Sequence, residues 1–150
     1  SEAEKAALQE KLKIEEGDMV LFHTGWDDLI ISMDGKPDSG RLHSSCAVLD
    51  GFDDDLLHWI KTSGVSVIAS DNLAVEDSQT CGGEAKDGCS RLPLHRQCLF
   101  RLGVHLGELW FLSELASALR QRGRSRFLLT APPLRMPGAV GSPTTPIATI

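Results

Sequence analysis

The stretch of sequence that decides the fold runs from His95 to Leu109 and reads HRQCLFRLGVHLGEL. Gly103 divides it, and glycine commonly follows the last turn of a helix. The three residues after this glycine, 104–106, are typical of a short strand. The segment therefore predicts a helix that leads directly into a strand. The apolar residues at helical spacing before the glycine are Leu94, Cys98, Leu99 and Leu102.

The rest of the chain repeats this alternation of helix and strand. The run MVLFHTGW at 19–26 predicts a buried strand that ends at Thr24-Gly25, and VSVIA at 65–69 predicts a central one. Between them, Asp53–Asp55 favour a helix start rather than a cation site, because consecutive helical residues point in different directions. Such alternation predicts an α/β fold. Further helices are expected at 2–13, 53–63 and 112–122, strands at 126–130 and 146–150, and loops at 27–50 and 76–93.

Composition limits the classes of function. A chain of 150 residues with 41% hydrophobic residues has the size of one globular domain, 1–150. The net charge of -6 and the lack of a dense basic cluster argue against nucleic acid as a partner. No apolar run is long enough for a membrane helix, and the charged N-terminus does not resemble a signal peptide, so we expect a soluble, cytoplasmic protein.

The cysteines do not form a recognisable framework. Four are present at irregular spacing, which is too few for a secreted disulfide scaffold of this length, so we interpret them as thiols. Cys81 and Cys89 lie in the predicted 76–93 loop and lack the Cys-x-x-Cys unit of structural zinc sites.

His95 and Glu108 are the candidate residues of the opening stretch. An imidazole and a carboxylate are usual ligands of zinc or manganese, and a bound divalent ion makes water a better nucleophile. A histidine at a helix start is, however, more often a cap or a packed surface residue, and a carboxylate after an apolar strand can simply be solvated or ion-paired. His105, between the two, is either a pocket residue or an exposed one. Asp71 follows the central strand, where site residues commonly lie.

Several motifs together resemble the putative cyclase family, which includes kynurenine formamidase and isatin hydrolase. The resemblance covers residues 15–150. It rests on GDMVLFHTGW, GVSVIASDNLAVE, H-R-x-x-L-x-x-L-G-V-x-L-x-E-L, LSELA and PLRMPGAVGSPTTPIA, in this order.

The resemblance implies a swivelling β/β/α fold, a Zn or Mn ion, and hydrolysis of an amide in a small aromatic or cyclic molecule such as N-formylkynurenine or isatin. It also implies a homo-oligomer, dimeric or larger. His95 would be the active-site histidine and Glu108 the acidic residue that completes the metal centre. Asp71 and Trp26 would lie near the substrate, and Phe22 is a further candidate for an apolar pocket wall, although a buried tryptophan at a strand end is more often part of the core.

The sequence departs from the family in one respect. The remaining metal ligands of the family come from an H-x-G-T-H-x-D motif, which these 150 residues do not contain, and His23-Thr24-Gly25 is not a disguised copy of it. We therefore interpret the chain as the C-terminal portion of a longer protein, incomplete on its N-terminal side. The alternative is a non-catalytic fragment or scaffold that oligomerises or binds a partner through exposed strand edges.

Overall fold

The computed structural model describes residues 12–77 and 91–150. The chain divides into two compact units, Ser1–Ser113 and Glu114–Ile150. Most of the predicted helix at 2–13 and most of the predicted 76–93 loop, including Cys81 and Cys89, lie outside the described residues. The assignment of 1–150 to a single domain stays a prediction.

The first unit is built around a three-stranded parallel sheet. Its strands are β1 (Met19–Phe22), β2 (Val67–Ser70) and β3 (His105–Gly107), in the order β1-β2-β3. Parallel strands separated by helices confirm the predicted α/β alternation in this unit. The register pairs Ala69 of the central strand with Gly107, where a Cβ atom would lie 2.8 Å from the Cβ of Ala69. A glycine at 107 therefore lets the end of β3 approach β2 closely.

The region after β1 corrects the sequence-based expectation. A long loop with a short extended piece was expected at 27–50, whereas the structure contains two helices there, α1 (Trp26–Ser32) and α2 (Ser39–Ser44). Gly25, with φ +84°, turns the chain into α1, and the distant Asp71 accepts the N–H of Trp26 at 2.9 Å. For α1 the prediction was wrong because a helix cap supplied from another part of the chain leaves no local sequence signal. Helix α2 has a local cap, since the side chain of Asp38 accepts the N–H of Arg41 at 3.1 Å.

The connection into β2 agrees with expectation. Helix α3 (Asp54–Ser63) follows Asp53, whose side chain accepts the N–H groups of Asp55 and Leu56 at 2.9 Å, and Gly64 ends the helix with φ +70°. The capping role predicted for the acidic triplet is confirmed. Helix α3 and strand β2 contribute to one core whose fully or nearly fully buried members are Ile60, Val65, Ile68, Val75, Leu94, Cys98 and Val104.

The opening stretch forms a continuous helical segment before β3. A three-residue helix, α4 (Pro93–His95), continues as a π-helix over Arg96–Leu102, and Gly103 ends it with φ +71°. The predicted helix, its terminal glycine and the following strand are confirmed, whereas the π-helical pitch was not expected. Such wide turns are rare and often occur at functional sites. His105 is exposed on β3.

The second unit contains a two-stranded antiparallel sheet. Helix α5 (Ser113–Gln121) begins at the last residue of the first unit, and β4 (Leu128–Thr130) pairs with β5 (Ile147–Thr149). An isolated bridge joins Pro133 to Thr144. The predicted helix and both strands are confirmed with slightly shorter bounds.

Two further expectations can be compared with the described part of the chain. Cys46 and Cys98 are free thiols, as interpreted from the sequence. Burial raises the pKa of the Cys98 thiol to about 11, and the nearby charge of Glu76 adds to this effect. Among the residues that the structure describes, no helix has both the length and the apolar character needed to cross a membrane.

Candidate functional site

Polar side chains collect at the carboxyl edge of the parallel sheet. β1 runs into His23, β2 into Asp71 and Asn72, and β3 into Glu108. The strands are parallel, so their carboxyl ends meet at one edge, which is where open α/β sheets usually bind ligands. This edge of the sheet is therefore the candidate functional site.

His95 lies between two carboxylates at this edge. Its Nδ1 atom is 2.7 Å from Oε1 of Glu76, and its Nε2 atom is 2.9 Å from Oε1 of Glu108. The Glu76 side chain is fully buried, whereas the Glu108 side chain is 35% exposed. The ring of His95 therefore connects a buried carboxylate on one side with a solvent-accessible carboxylate on the other.

Glu76 is held by more than the histidine ring. Its Oε2 accepts the N–H of Leu94 at 2.8 Å, and its Oε1 accepts the N–H of His95 at 2.8 Å. The first turn of α4 thus donates two backbone hydrogen bonds to the carboxylate that also contacts the His95 ring. An ionised carboxylate is an acceptor only, so Nδ1 of His95 must carry the proton in this contact.

The two carboxylates determine the electrostatics of His95. The hydrogen bond to Glu108 is the largest cause that raises the pKa of the His95 ring above its usual range; Glu76 also raises it, and burial acts in the opposite direction. Because Nδ1 donates to Glu76, the Nε2 lone pair of the neutral ring would point at a carboxylate oxygen. Two acceptors in contact need a cation between them, either a proton or a metal ion.

The Nε2 atom of His95 and the carboxylate of Glu108 can serve as ligands of a divalent ion. Two ligand atoms bonded to one tetrahedral zinc ion lie about 3.3–3.6 Å apart, given bond lengths of about 2.0–2.2 Å. The observed separation of 2.9 Å is that of a direct hydrogen bond, so the two side chains would move apart by about 0.5 Å to share an ion. The contact of Nδ1 with Glu76 is the carboxylate–histidine arrangement that commonly orients a metal-bound imidazole. The residues present therefore fit a metal ion.

A second group of potential ligands lies at the end of β1. One ligand atom from each of His23, Asp27 and Asp71 lies within 4.8 Å of the others, a spacing that fits a divalent ion. Nε2 of His23 is 3.5 Å from Oδ1 of Asp27 and 3.0 Å from Oγ of Ser113. Geometry alone thus offers two candidate metal groups at this edge.

The carboxylate of Asp71 already has a full set of protein donors. Its Oδ1 accepts the N–H and the hydroxyl of Thr24 at 2.8 and 2.7 Å. Its Oδ2 accepts the N–H groups of Gly25 and Trp26 at 2.8 and 2.9 Å. Asp71 is only 1% exposed. Its hydrogen bonds explain its burial without a ligand, since they satisfy the turn that opens α1.

Asp27 is used in the same way where α5 begins. Its Oδ2 accepts the N–H groups of Leu112 and Ser113 at 2.7 and 2.8 Å, and its Oδ1 accepts the Ser113 hydroxyl at 2.8 Å. Burial opposes ionisation of Asp27, but the hydrogen bonds from Ser113, Leu112 and Asp28 outweigh it and lower its pKa to about 2. Both aspartates of this group therefore act first as caps of backbone N–H groups.

The lowered pKa of Asp27 predicts a contribution to stability that depends on pH. Its ordinary pKa is 3.8, so the unfolded chain binds the proton more readily than the folded one. The contribution, about 2 kcal/mol, is present above pH 4 and is lost as the pH falls towards 2. Urea unfolding measured between pH 7 and pH 2 should show this loss. Asp27→Asn should have a flatter acid limb, and Asp28→Asn, an exposed neighbour, should keep the wild-type slope. Equal slopes for all three proteins would contradict the prediction.

The chain is similar in sequence and in structure to known proteins. A sequence profile described as putative cyclase matches residues 1–77, about half of the chain. A solved structure described as a novel cyclase is similar over 97% of this chain, with 34% sequence identity and a TM-score of 0.70. The chain belongs to the putative cyclase family. It spans 45% of the length of that solved cyclase. No curated protein matches the chain.

Membership of the cyclase family agrees with the resemblance read from the sequence. The profile match ends at residue 77, so it includes the His23, Asp27 and Asp71 group and Glu76 but neither His95 nor Glu108. The structural match extends over almost the whole chain. The mixed helices and small sheets of this chain are thus similar to a cyclase-family fold.

The structure brings some of the predicted site residues together. His95 and Glu108 are in direct contact, and their roles as catalytic residues and metal ligands stay predictions. Asp71 is buried in the turn before α1, and Trp26 is 7% exposed, with its indole N–H donated to the carbonyl of Leu42 at 3.0 Å. Phe22 is half-buried against the core. The pocket roles of Asp71, Trp26 and Phe22 also stay predictions.

Three residues of this region were not found from the sequence. Glu76 was treated only as the start of a polar loop, and His23 and Asp27 were not grouped with Asp71. A sequence signal existed for Glu76. It directly follows the apolar residue Val75, a few residues after the end of the central strand, in VIASDNLAVE. For Asp27 no signal existed, since its partners are 85 and 86 residues away.

Proposed function

We propose that this chain is part of a metal-dependent hydrolase that cleaves an amide in a small aromatic or cyclic substrate, with Zn or Mn as the metal. The observation that carries the proposal is the contact between Nε2 of His95 and Oε1 of Glu108 on the far side of a ring fixed by Glu76. The solved cyclase is longer than this chain, so the activity of a whole protein is part of the proposal. We further propose the swivelling β/β/α architecture, of which this chain forms the C-terminal portion.

His95 and Glu108 would hold the metal ion. When bound, such an ion acidifies water and polarises the carbonyl of the amide. Support for this assignment over the His23 group comes from the number of hydrogen bonds that the carboxylates of the two groups already accept. Glu108 has a partly exposed carboxylate that is hydrogen-bonded to His95, whereas the carboxylates of Asp27 and Asp71 each accept several protein N–H or O–H groups. Some of the N–H and O–H groups that donate to Asp27 and Asp71 would have to give up these hydrogen bonds before an ion could bind at the His23 group.

The residues around the ring would manage protons. Glu76 keeps the proton of His95 on Nδ1, so Nε2 is the atom that exchanges a proton or a ligand bond. Glu108, which reaches solvent, would ligate the ion or position the attacking water. In this arrangement Nε2 of His95 would take either a proton or the metal ion without rotation of the ring, because its other nitrogen is held by a buried carboxylate.

The remaining roles rest on the family resemblance. Trp26 and Phe22 would supply apolar walls for the substrate, with Asp71 behind them as a support of the turn that carries Trp26. A cytoplasmic homo-oligomer that binds neither nucleic acid nor a membrane is the corresponding proposal for partners and location. A complex with a substrate analogue would test the pocket roles of Trp26, Phe22 and Asp71.

The test of the proposed function is metal content, because it separates the two candidate groups. The intact protein that carries this chain would be purified and its Zn and Mn measured by mass spectrometry for wild type, Glu108→Gln, Asp27→Asn and Glu114→Gln. We choose Glu108 rather than His95 because removing His95 would also leave the buried Glu76 carboxylate short of a partner. Glu114 is an exposed glutamate and serves as the matched control.

We expect near-stoichiometric metal in wild type and in Glu114→Gln, and at least a tenfold loss in Glu108→Gln. Hydrolysis of a formylated aromatic amine or of a cyclic aromatic amide should fall in parallel. Metal lost from Asp27→Asn but retained in Glu108→Gln would place the ion at the His23 group and overturn the assignment. A metal-free wild-type protein without turnover of either amide would overturn the hydrolase itself.

A second candidate function is a scaffold that associates through its sheet. The observation in its favour is that β1 and β3 each pair only with β2 among the residues described, so each presents an edge. Exposed strand edges promote pairing with other chains. A metal-free protein that forms oligomers, with the same stability in Glu108→Gln as in wild type, would favour this function.

A further inference from the structure

Asn72 makes four hydrogen bonds, of which two reach residues adjacent to the carboxylates of the candidate site. Its Oδ1 accepts the N–H of Val75 at 2.7 Å, and its carbonyl oxygen accepts the N–H of Leu109 at 2.9 Å. Its Nδ2 donates to the carbonyl of Ala47 at 2.9 Å. Asn72 is 1% exposed, and its amide group therefore acts entirely within the protein. Asn72 has no direct role in the proposed reaction.

Two of the residues that Asn72 binds have an unusual backbone. Val75 has φ +62° and Leu109 has φ +58°, and in the described residues the only other non-glycine position with positive φ is Asp34. A left-handed conformation is costly for a side chain with a Cβ atom, above all for a β-branched one. Such residues persist where the surroundings hold them in place, and they cluster at functional sites.

These two positions are adjacent to the carboxylates that contact His95. Val75 precedes Glu76, and Leu109 follows Glu108. At Val75 the chain makes a tight three-residue turn, with the N–H of Glu76 2.6 Å from the carbonyl of Ala74. This turn directs Glu76 inward to the first turn of α4. One side chain and one carbonyl of Asn72 thus fix the backbone beside both carboxylates.

We infer that Asn72 is a positioning residue that holds Glu76 and Glu108 on opposite nitrogens of the His95 ring, through the turn at Val75 and the backbone at Leu109. Its effect on metal binding and turnover rests on the proposed function, whereas its effect on the orientation of His95 does not. Because the Leu109 contact uses the backbone of residue 72, a side-chain substitution leaves it in place and removes the contacts with Val75 and Ala47, the second of which is lost equally in alanine and serine variants. The side of the ring that faces Glu76 is therefore the side that a substitution disturbs.

Neighbouring contacts show how little room Glu76 has. The N–H of Leu49 donates to the carbonyl of Val75 at 2.9 Å, and the N–H of Asp77 donates to the carbonyl of Leu49 at 3.0 Å. A Cβ atom on Gly51 would lie 2.8 Å from the backbone nitrogen of Leu94 and would also collide with the Glu76 carboxylate. The carboxylate fits a closely bounded space, so a small shift of the turn at Val75 changes its contact with Nδ1.

The test compares Asn72→Ala with Asn72→Ser, which differ by one hydroxyl. Serine can accept the N–H three residues later, as asparagine does, whereas alanine cannot. The first readout is the ¹⁵N chemical shift of the two His95 ring nitrogens in the intact protein. We expect a protonated Nδ1 in wild type and Asn72→Ser, and a mixture of ring forms or a loss of the Nδ1–H signal in Asn72→Ala. The second readout is the dissociation constant for Zn²⁺, which should rise at least about tenfold in Asn72→Ala and stay within about threefold in Asn72→Ser.

A folded Asn72→Ala protein with wild-type His95 shifts would overturn the inference. Equal disturbance of the His95 ring in Asn72→Ser and Asn72→Ala would do the same, since it would show a packing effect. If Asn72→Ala does not fold, Asn72→Thr and Asn72→Val form a second matched pair with the same expected contrast. If wild type binds no Zn²⁺, the proposed function fails, but the His95 shifts still decide the role of Asn72, because the contact of Nδ1 with Glu76 is present without a metal ion.

Discussion

Replacing Glu76 by glutamine is expected to lower the free energy of unfolding by about 3 kcal/mol. The buried carboxylate accepts the N–H groups of Leu94 and His95 and the Nδ1–H of the His95 ring. A glutamine has only one acceptor atom, and its NH₂ group would face a donor, so at least one buried donor loses its partner at a cost of about 1–3 kcal/mol. The negative charge that faces the His95 ring is lost as well.

Urea unfolding at neutral pH measures this effect. Glu114→Gln, an exposed glutamate, should change the free energy of unfolding by no more than about 0.5 kcal/mol. In the folded fraction of Glu76→Gln, the His95 ring should lose its fixed Nδ1–H, and metal affinity should fall about 10–100-fold. A Glu76→Gln protein as stable as the control would show that the donors of α4 find other partners, and the description of Glu76 as their acceptor would be wrong.

Replacing Asp71 by asparagine is expected to cost a similar amount, about 3 kcal/mol, by a different route. Each carboxylate oxygen of Asp71 accepts at least two hydrogen bonds from Thr24, Gly25 and Trp26. Converting one oxygen into an NH₂ group would place donors against donors in a buried turn. Because these bonds open α1, the loss should be greatest there.

Hydrogen exchange of the backbone locates that loss. Protection in α1 (Trp26–Ser32) should fall in Asp71→Asn more than protection in α3 (Asp54–Ser63). The matched control is Asp50→Asn, an exposed aspartate that accepts one N–H, from Phe52, at 2.9 Å. Uniform loss of protection, or a loss no larger than in Asp50→Asn, would refute the assignment of Asp71 as the cap of α1.

Local sequence patterns predicted the elements whose start and stop signals lie within them. Helix α3 has Asp53 at one end and Gly64 at the other, and the π-helix ends at Gly103, so their positions could be read directly. Helix α1 could not be read, because β-branched residues at 30–31 favour an extended segment and its cap comes from Asp71. Hydrogen bonds from a distant residue thus account for the wrong prediction at α1.

The candidate site was predicted in part for a similar reason. His95 and Glu108 lie in one short stretch, and the resemblance to the cyclase family drew attention to both. The partner on the other side of the ring, Glu76, is 19 residues from His95 in sequence, and the 78–90 segment lies between them. The positive φ values at Val75 and Leu109 are equally invisible in sequence, because neither residue type favours them.

Because Glu76 is buried, we expect few substitutions at this position to keep the protein folded. Glu76 serves α4 and His95 with the same two oxygen atoms, so a screen for folding alone would already reject most of its substitutions. Glu108, partly open to solvent and bound only to the His95 ring in the hydrogen bonds described, would pass such a screen in many forms. In a saturation library screened once for abundance and once for amide hydrolysis, the tolerated substitutions would therefore differ between the two screens at position 108 and agree at position 76. Position 108, not 76, distinguishes a working enzyme from a copy kept only for its fold.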